Sequence, residues 1–183
     1  MAKLKRGLVQ VYTGKGKGKT TAAWGQAMRA SGQGLRVAIV QFFKGKGSGV
    51  PRPSWRGAGE AKMARKLNLS VYSFCPVHPF FGGKREKLKR ECRGAIAFAK
   101  KLIQSKKYDM VILDEINIAM KDRLIEINEV LDLIKKKPKG MELILTGRDA
   151  PKKIMDAADL VTEMREIKHP YQKGIKGRKG IEY

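Results

Sequence analysis

Leu8-Val9-Gln10-Val11-Tyr12 runs directly into Thr13-Gly14-Lys15-Gly16-Lys17-Gly18-Lys19-Thr20-Thr21, and this junction decides the fold. An apolar, β-branched run of strand type ends in alternating glycines and opens an alanine-rich helical stretch over 20–30. A strand–loop–helix of this kind turns several backbone N–H groups toward one point, where the helix N-terminus adds partial positive charge. The loop is therefore expected to cradle phosphates. Lys19 would set its ammonium on phosphate oxygens, and the Thr20 hydroxyl would enter the shell of a bound Mg²⁺. Glycine suits the loop because a Cβ would hold phosphate off the amides and resist positive φ. The spacing departs from the usual phosphate loop: Gly14 and Gly18 enclose three residues rather than four, and Thr13 stands where the first glycine is expected.

A second run, Tyr108-Asp109-Met110-Val111-Ile112-Leu113-Asp114-Glu115, reads as an apolar strand ending in two carboxylates. A continuous apolar run marks a strand buried on both faces. Acids at its C-terminal end lie where open α/β sheets bind ligands. Asp114 is expected to hold Mg²⁺ through water, and Glu115 to serve as a second metal ligand or as a base toward water. In all, strand-like runs occupy 8–13, 35–42, 69–74, 110–114, 142–146 and 160–162. Helical spacing runs over 86–103, and again through Leu124, Ile127, Leu131 and Ile134 until Lys137-Pro138. This alternation predicts an α/β fold, a mostly parallel sheet of about six strands with helices on both faces.

With 183 residues, one domain over 1–183 is expected. No stretch approaches the roughly 20 apolar residues of a membrane span, and no secretory h-region opens the chain, so a cytoplasmic location is expected. Cys75 and Cys92 have no metal or redox spacing and read as small buried residues. Forty Lys plus Arg against 17 Asp plus Glu give a formal charge of +23. Such a surface attracts polyanions and acidic partners. The basic residues are spread along the chain with little aromatic interleaving, so the charge alone does not select nucleic acid over ATP or an acidic redox protein.

Two stretches read as irregular. Gly45 to Gly59 is rich in Gly, Pro and basic residues and is expected to form a long mobile loop. Cys75-Pro76-Val77-His78-Pro79-Phe80-Phe81-Gly82-Gly83 follows a strand and is open to packing or to ligand binding. Arg148, after the strand over 142–146, points to the same sheet edge as the phosphate loop and suits a phosphate or sugar contact. Lys168 and His169 divide evenly between a site and a solvated loop.

The ordered set of motifs resembles the P-loop type ATP:corrinoid adenosyltransferases. It comprises 13–21, Arg29-Ala30 with Gly32 and Gly34, Val40-Gln41-Phe42 with Lys44-Gly45, and Gly59-Glu60. It continues through Leu113-Asp114-Glu115, Thr146-Gly147-Arg148, Ala158-Asp159, Lys168-His169 and the terminal Gly180-Ile181-Glu182-Tyr183. The resemblance covers almost the whole chain. It implies a P-loop NTPase-like (RecA-like) domain that moves the 5′-deoxyadenosyl group of ATP to the Co(I) of a corrinoid, releasing triphosphate. The three-residue loop spacing also belongs to that family, whose ATP lies reversed in the loop.

The resemblance further implies a site of Thr13, Gly14, Lys15, Gly16, Lys17, Gly18, Lys19, Thr20 and Thr21, with Gln41, Lys44, Glu60, Arg148, Lys168 and His169. Thr20, Asp114 and Glu115 would hold Mg²⁺ or Mn²⁺, while Lys19 and Arg148 would stabilise the leaving triphosphate. Phe80 and Phe81 would take the place of the family's aromatic pair beside the corrinoid, although the Trp of that pair is missing here. A homodimer and an electron-donating flavoprotein partner are implied as well. Only a few residues precede the first strand, so the N-terminal arm that covers the site in some members is expected to be missing or short here. The competing readings are a RecA-like ATPase acting on nucleic acid, and a corrinoid carrier that transfers nothing.

Overall fold

The computed structural model describes residues 4–44, 52–53, 59–75, 78–79 and 82–181. Six parallel strands carry the sheet: β1 (Val9–Thr13), β2 (Val37–Gln41), β4 (Ser70–Ser73), β5 (Met110–Asp114), β6 (Glu142–Thr146) and β7 (Leu160–Glu163). A two-residue strand, β3 (Arg52–Pro53), pairs antiparallel with β4 at one edge, so the full order is β3-β4-β2-β5-β6-β1-β7. This strand lies inside the stretch read as one loop from Gly45 to Gly59; its proline sits where the sheet tolerates one, on an edge. The rest of that stretch, up to Gly59, lies outside the described residues.

Alternation along the strands fixes which helices cover which face. Val37, Ile39, Met110 and Ile112 join Ala23, Trp24 and Ala27 of α1 (Lys19–Gly32) and Ala64 of α2 (Gly59–Ala64). Their neighbours Ala38, Val40, Val111 and Leu113 face the larger core, which is built with α3 (Arg85–Gln104), α4 (Ile116–Lys121), α5 (Ile127–Lys136) and α6 (Lys152–Asp156). β2, β5 and β6 are buried at every position, as their unbroken apolar runs predict.

Two helix starts differ from the spacing. The run from Leu124 enters α5 only at Ile127, because the Glu126 N–H donates to the Glu129 carboxylate at 3.0 Å and fixes the helix start there. α4 begins directly after the acid pair: Glu115 turns the chain from strand to helix in the left-handed region (φ 66°), an unusual conformation for a residue with a Cβ.

Candidate active site

The strand order puts β6 between β1 and β5, so the C-terminal ends of all three meet at one place. Asp114, at the end of β5 and wholly buried, collects four donors there. Its Oδ1 accepts from the hydroxyls of Thr20 (2.9 Å) and Thr146 (2.8 Å). Its Oδ2 accepts from Gln41 Nε2 (3.4 Å) and from the Lys44 ammonium (3.3 Å). Ser73 on β4 donates to Gln41 Oε1 at 2.8 Å and so orients the Gln41 amide toward Asp114. Thr146 also accepts the Glu115 N–H at 3.0 Å, which holds the left-handed turn. Ser73, Gln41 and Asp114 stand level across three strands by register alone.

The phosphate loop lies across from this hub. Gly14 (φ 95°) and Gly18 (φ 116°) take the left-handed conformations expected of them. A further constraint comes from the chain after β7. The Gly16 N–H donates to the Met164 carbonyl at 2.7 Å, and a Cβ on Gly14 would stand 2.4 Å from that same oxygen. A Cβ on Gly16 would stand 2.8 Å from the Arg165 backbone. These glycines therefore make room for a neighbouring backbone as well as for any anion. The Lys19 ammonium folds onto the loop and donates to the carbonyls of Gly14 (2.7 Å) and Gly16 (2.6 Å). Burial lowers its pKa, with Glu115 opposing and Arg148 adding to the effect.

Thr13 is buried, and its hydroxyl accepts the Ala150 N–H at 3.0 Å, tying the loop entrance to the turn after β6. Arg148 leaves that turn after Gly147 (φ 130°). With Lys15, Asp149, Glu163 and Arg165 it lines a cleft of about 720 Å³ beside the loop. Lys17 donates to the Ile181 carbonyl at 3.3 Å, bringing the C-terminal segment against the loop, and Thr21 is exposed on α1. Glu60 on α2 acts on Lys44 through its charge. Burial pulls the Lys44 ammonium down, but Asp114, Glu115 and Glu60 together hold it above the ordinary lysine range.

Lys168 and His169 lie in the segment after β7. His169 Nδ1 accepts the Tyr171 N–H at 3.2 Å and caps a single 3₁₀ turn; among the described residues no hydrogen bond joins either one to the hub. Phe80 and Phe81 lie outside the described residues. His78, just before them, sets its ring against Phe43 at 5.4 Å between centroids and is held below the usual histidine pKa by burial, with Arg148 and Lys44 adding to it.

The donor set fits a hard divalent cation. A hydroxyl has one proton and two lone pairs, and Thr20 spends its proton on Asp114, leaving oxygen lone pairs for a metal. Asp114 already accepts four donors, so contact with a metal through water requires one of the two longest, Gln41 at 3.4 Å or Lys44 at 3.3 Å, to move aside. Glu115 Oε2 is buried and has no hydrogen-bond partner among the described residues. Among the described residues no cluster of three His, Cys, Asp or Glu forms a closed metal cage. Mg²⁺ seldom needs one, since phosphate oxygens and water complete its octahedron.

Glu115 provides a test of this electrostatics. Burial, then the charge of Asp114, raises its pKa from 4.5 to about 7. A carboxyl whose folded pKa lies above its unfolded value supports folding fully below about pH 4.5 and loses that support as pH rises through about 7. At 1.36 kcal/mol per pH unit the loss is roughly 3 kcal/mol. Glu115→Gln is neutral throughout. Without nucleotide or divalent cation, its Tm is expected to match wild type at pH 4.5 and to exceed it by roughly 6–12 °C at pH 8. A constant difference across that range, measured by calorimetry, would refute the raised pKa.

A family model described as ATP:corrinoid adenosyltransferase BtuR/CobO/CobP matches residues 5–183. The chain belongs to this family. Among its relatives is a corrinoid adenosyltransferase from Sinorhizobium sp, 38% identical over 182 residues, spanning 97% of this chain and 81% of the relative. Another, from Escherichia coli (strain K12), is 34% identical and covers 97% of this chain and 86% of the relative. Corrinoid adenosyltransferase CobA of Salmonella typhimurium is 33% identical over 100% of this chain and 88% of its own. Among solved structures, the flagellar accessory protein FlaH from Methanocaldococcus jannaschii superposes with a TM-score of 0.54 at 13% identity, covering 87% of this chain and 72% of that one. That likeness concerns the fold alone. The P-loop NTPase-like α/β architecture and the adenosyltransferase family membership expected from the motifs both hold.

Two residues beyond the motifs complete the hub: Thr146, which bridges Asp114 and Glu115, and Ser73, which orients Gln41. Their only signal in the chain is positional, since each stands at the C-terminal end of a parallel strand.

Proposed function

We propose that this chain transfers the 5′-deoxyadenosyl group of ATP to the reduced Co(I) of a corrinoid and releases triphosphate. The observation that carries the reading is the family match over residues 5–183. Cobalt attacks C5′ with its own electron pair; the Co–C bond forms as the C5′–O bond breaks, and that pair leaves with triphosphate. No side-chain nucleophile is required. The protein's task is to align C5′ with cobalt and to stabilise the charge on the leaving group.

Lys19 would exchange the Gly14 and Gly16 carbonyls for triphosphate oxygens, with Arg148 as a second cation at the cleft mouth. Thr20, Asp114 through water, and Glu115 would hold Mg²⁺ or Mn²⁺, an ion that offsets the triphosphate charge when bound. Gln41 and Lys44 would keep Asp114 oriented, with Glu60 beside Lys44. Lys15, Lys17, Thr21, Lys168 and His169 complete the proposed polar rim, and Phe80 and Phe81 the corrinoid side. One domain over 1–183, a homodimer, a cytoplasmic location and an acidic flavoprotein electron donor complete the proposal. The charge of +23 supports such a donor by steering it electrostatically. No helix among the described residues is long and apolar enough to cross a membrane.

The decisive experiment is an anaerobic assay with ATP, Mg²⁺ and chemically reduced cobalamin, read by the alkylcobalamin spectrum and by phosphate products. Triphosphate and adenosylated corrinoid in equal amounts are expected. ADP and phosphate, stimulated by DNA or RNA, would establish the RecA-like ATPase instead. Corrinoid binding with neither product would establish a carrier.

A further inference from the structure

Cys75 lies two residues beyond β4, and Cys92 lies within α3. They are the chain's two cysteines, both 0% exposed, and their Sγ atoms stand 3.5 Å apart. The Cys75 thiol faces the Leu88 carbonyl at 3.9 Å and can donate to it, which leaves the Cys92 thiol to donate to Cys75 Sγ. The spacing in sequence gave no hint of a pair. It arises because α3 packs over the end of β4, with Phe74, Leu88 and Ala95 in the same core.

A disulfide needs sulfurs about 2.05 Å apart, so these two must close by about 1.5 Å. We propose that Cys75 and Cys92 form a reversible intramolecular disulfide that joins the end of β4 to α3, with a low-molecular-weight disulfide such as oxidised glutathione as oxidant. One thiol, as thiolate, attacks the oxidant and expels one reduced thiol. The second then attacks the mixed disulfide and expels the other. Two electrons pass to the oxidant, and the two thiol protons end on the two released thiols. The contact with Cys75, and then burial, push the Cys92 pKa up, so the reacting thiolate is scarce and the exchange is slow in the native fold. That marks the pair as a staple responsive to sustained oxidising conditions, not as a rapid sensor. Closing a loop of this length should raise Tm by roughly 6–12 °C in a chain of this size.

The test uses the full-length protein and oxidised glutathione, in native buffer and in urea just below the unfolding transition, followed by return to buffer. Remaining thiols are counted by alkylation under denaturing conditions and mass spectrometry. The expected result is loss of both alkylation sites, a linked peptide pair carrying Cys75 and Cys92, and no cross-link between chains. Tm should rise by roughly 6–12 °C and fall back with dithiothreitol. Linkage in urea alone, followed by the same rise, also supports the pair and makes access the slow step. Cys92→Ser, treated identically, should show no rise, which separates the effect from other oxidation. Two thiols still alkylated after the urea treatment, a stable glutathione adduct, a cross-link between chains, or a linked protein with lowered Tm would each overturn the proposal.

Discussion

Lys19→Ala is expected to lower kcat/KM for adenosyl transfer by at least 10²–10³, the usual consequence of removing one preorganised charge from a developing anion. The geometry explains why no neighbour should substitute. Lys19 is 7% exposed and reaches the loop interior, where it already binds the carbonyls of Gly14 and Gly16. Alanine removes the cation and leaves those carbonyls without that donor, so the loop itself should loosen. ATP affinity, measured by calorimetric titration, should fall together with turnover. Met28→Ala, at an exposed position of the same helix, should change Tm and ATP affinity little and reports the background cost of altering that helix. Near-normal turnover and ATP affinity in Lys19→Ala would remove the loop from the triphosphate site.

Asp114→Asn is expected to combine two losses. An amide presents one acceptor and one donor group where the carboxylate accepts from Thr20, Thr146, Gln41 and Lys44. At least one of these donors must then face an NH₂ group, and Lys44 loses its buried counter-charge. Leaving a buried donor without its acceptor typically costs about 1–3 kcal/mol, and Lys44, its side chain 37% exposed, loses less than a fully buried partner would. Tm should therefore fall by roughly 2–12 °C in a chain of this length. The amide oxygen is also a weaker acceptor for the Thr20 hydroxyl and brings no charge toward a bound cation, so the Mg²⁺ dependence of the reaction should shift to higher concentration and saturating metal should restore part of the rate. Ser73→Ala separates the two effects, because it releases the Gln41 amide that donates to Asp114 and leaves the carboxylate, Thr20 and Glu115 in place. It should lower Tm with a smaller change in Mg²⁺ dependence. An Asp114→Asn protein with wild-type Tm and wild-type Mg²⁺ dependence would exclude Asp114 as the organising acid.

The local parts of this machine were legible in the chain. Alternate glycines between an apolar run and an alanine-rich helical pattern read as a tight loop entering a helix, and an unbroken apolar run ending in Asp114-Glu115 reads as a central strand with acids at its ligand-facing end. Strand positions followed from hydrophobic runs, because burial on both faces favours apolar side chains along the strand and confines polar ones such as Gln41, Asp114 and Thr146 to its ends. The relation between those parts belongs to the tertiary structure. Whether β6 would lie between β1 and β5 depends on crossovers between distant segments, and only that order makes Thr146 the bridge between Asp114 and Glu115. The close passage of Met164 and Arg165 over Gly14 and Gly16, which gives those glycines a second reason to be glycine, likewise depends on β7 pairing beside β1. The contact of Cys75 with Cys92 depends on where α3 settles over β4. Local sequence sets the conformation of a segment through sterics and hydrophobic period. Which segments become neighbours is settled by packing whole faces against each other, and the side chains that meet there carry no mark of it in the chain.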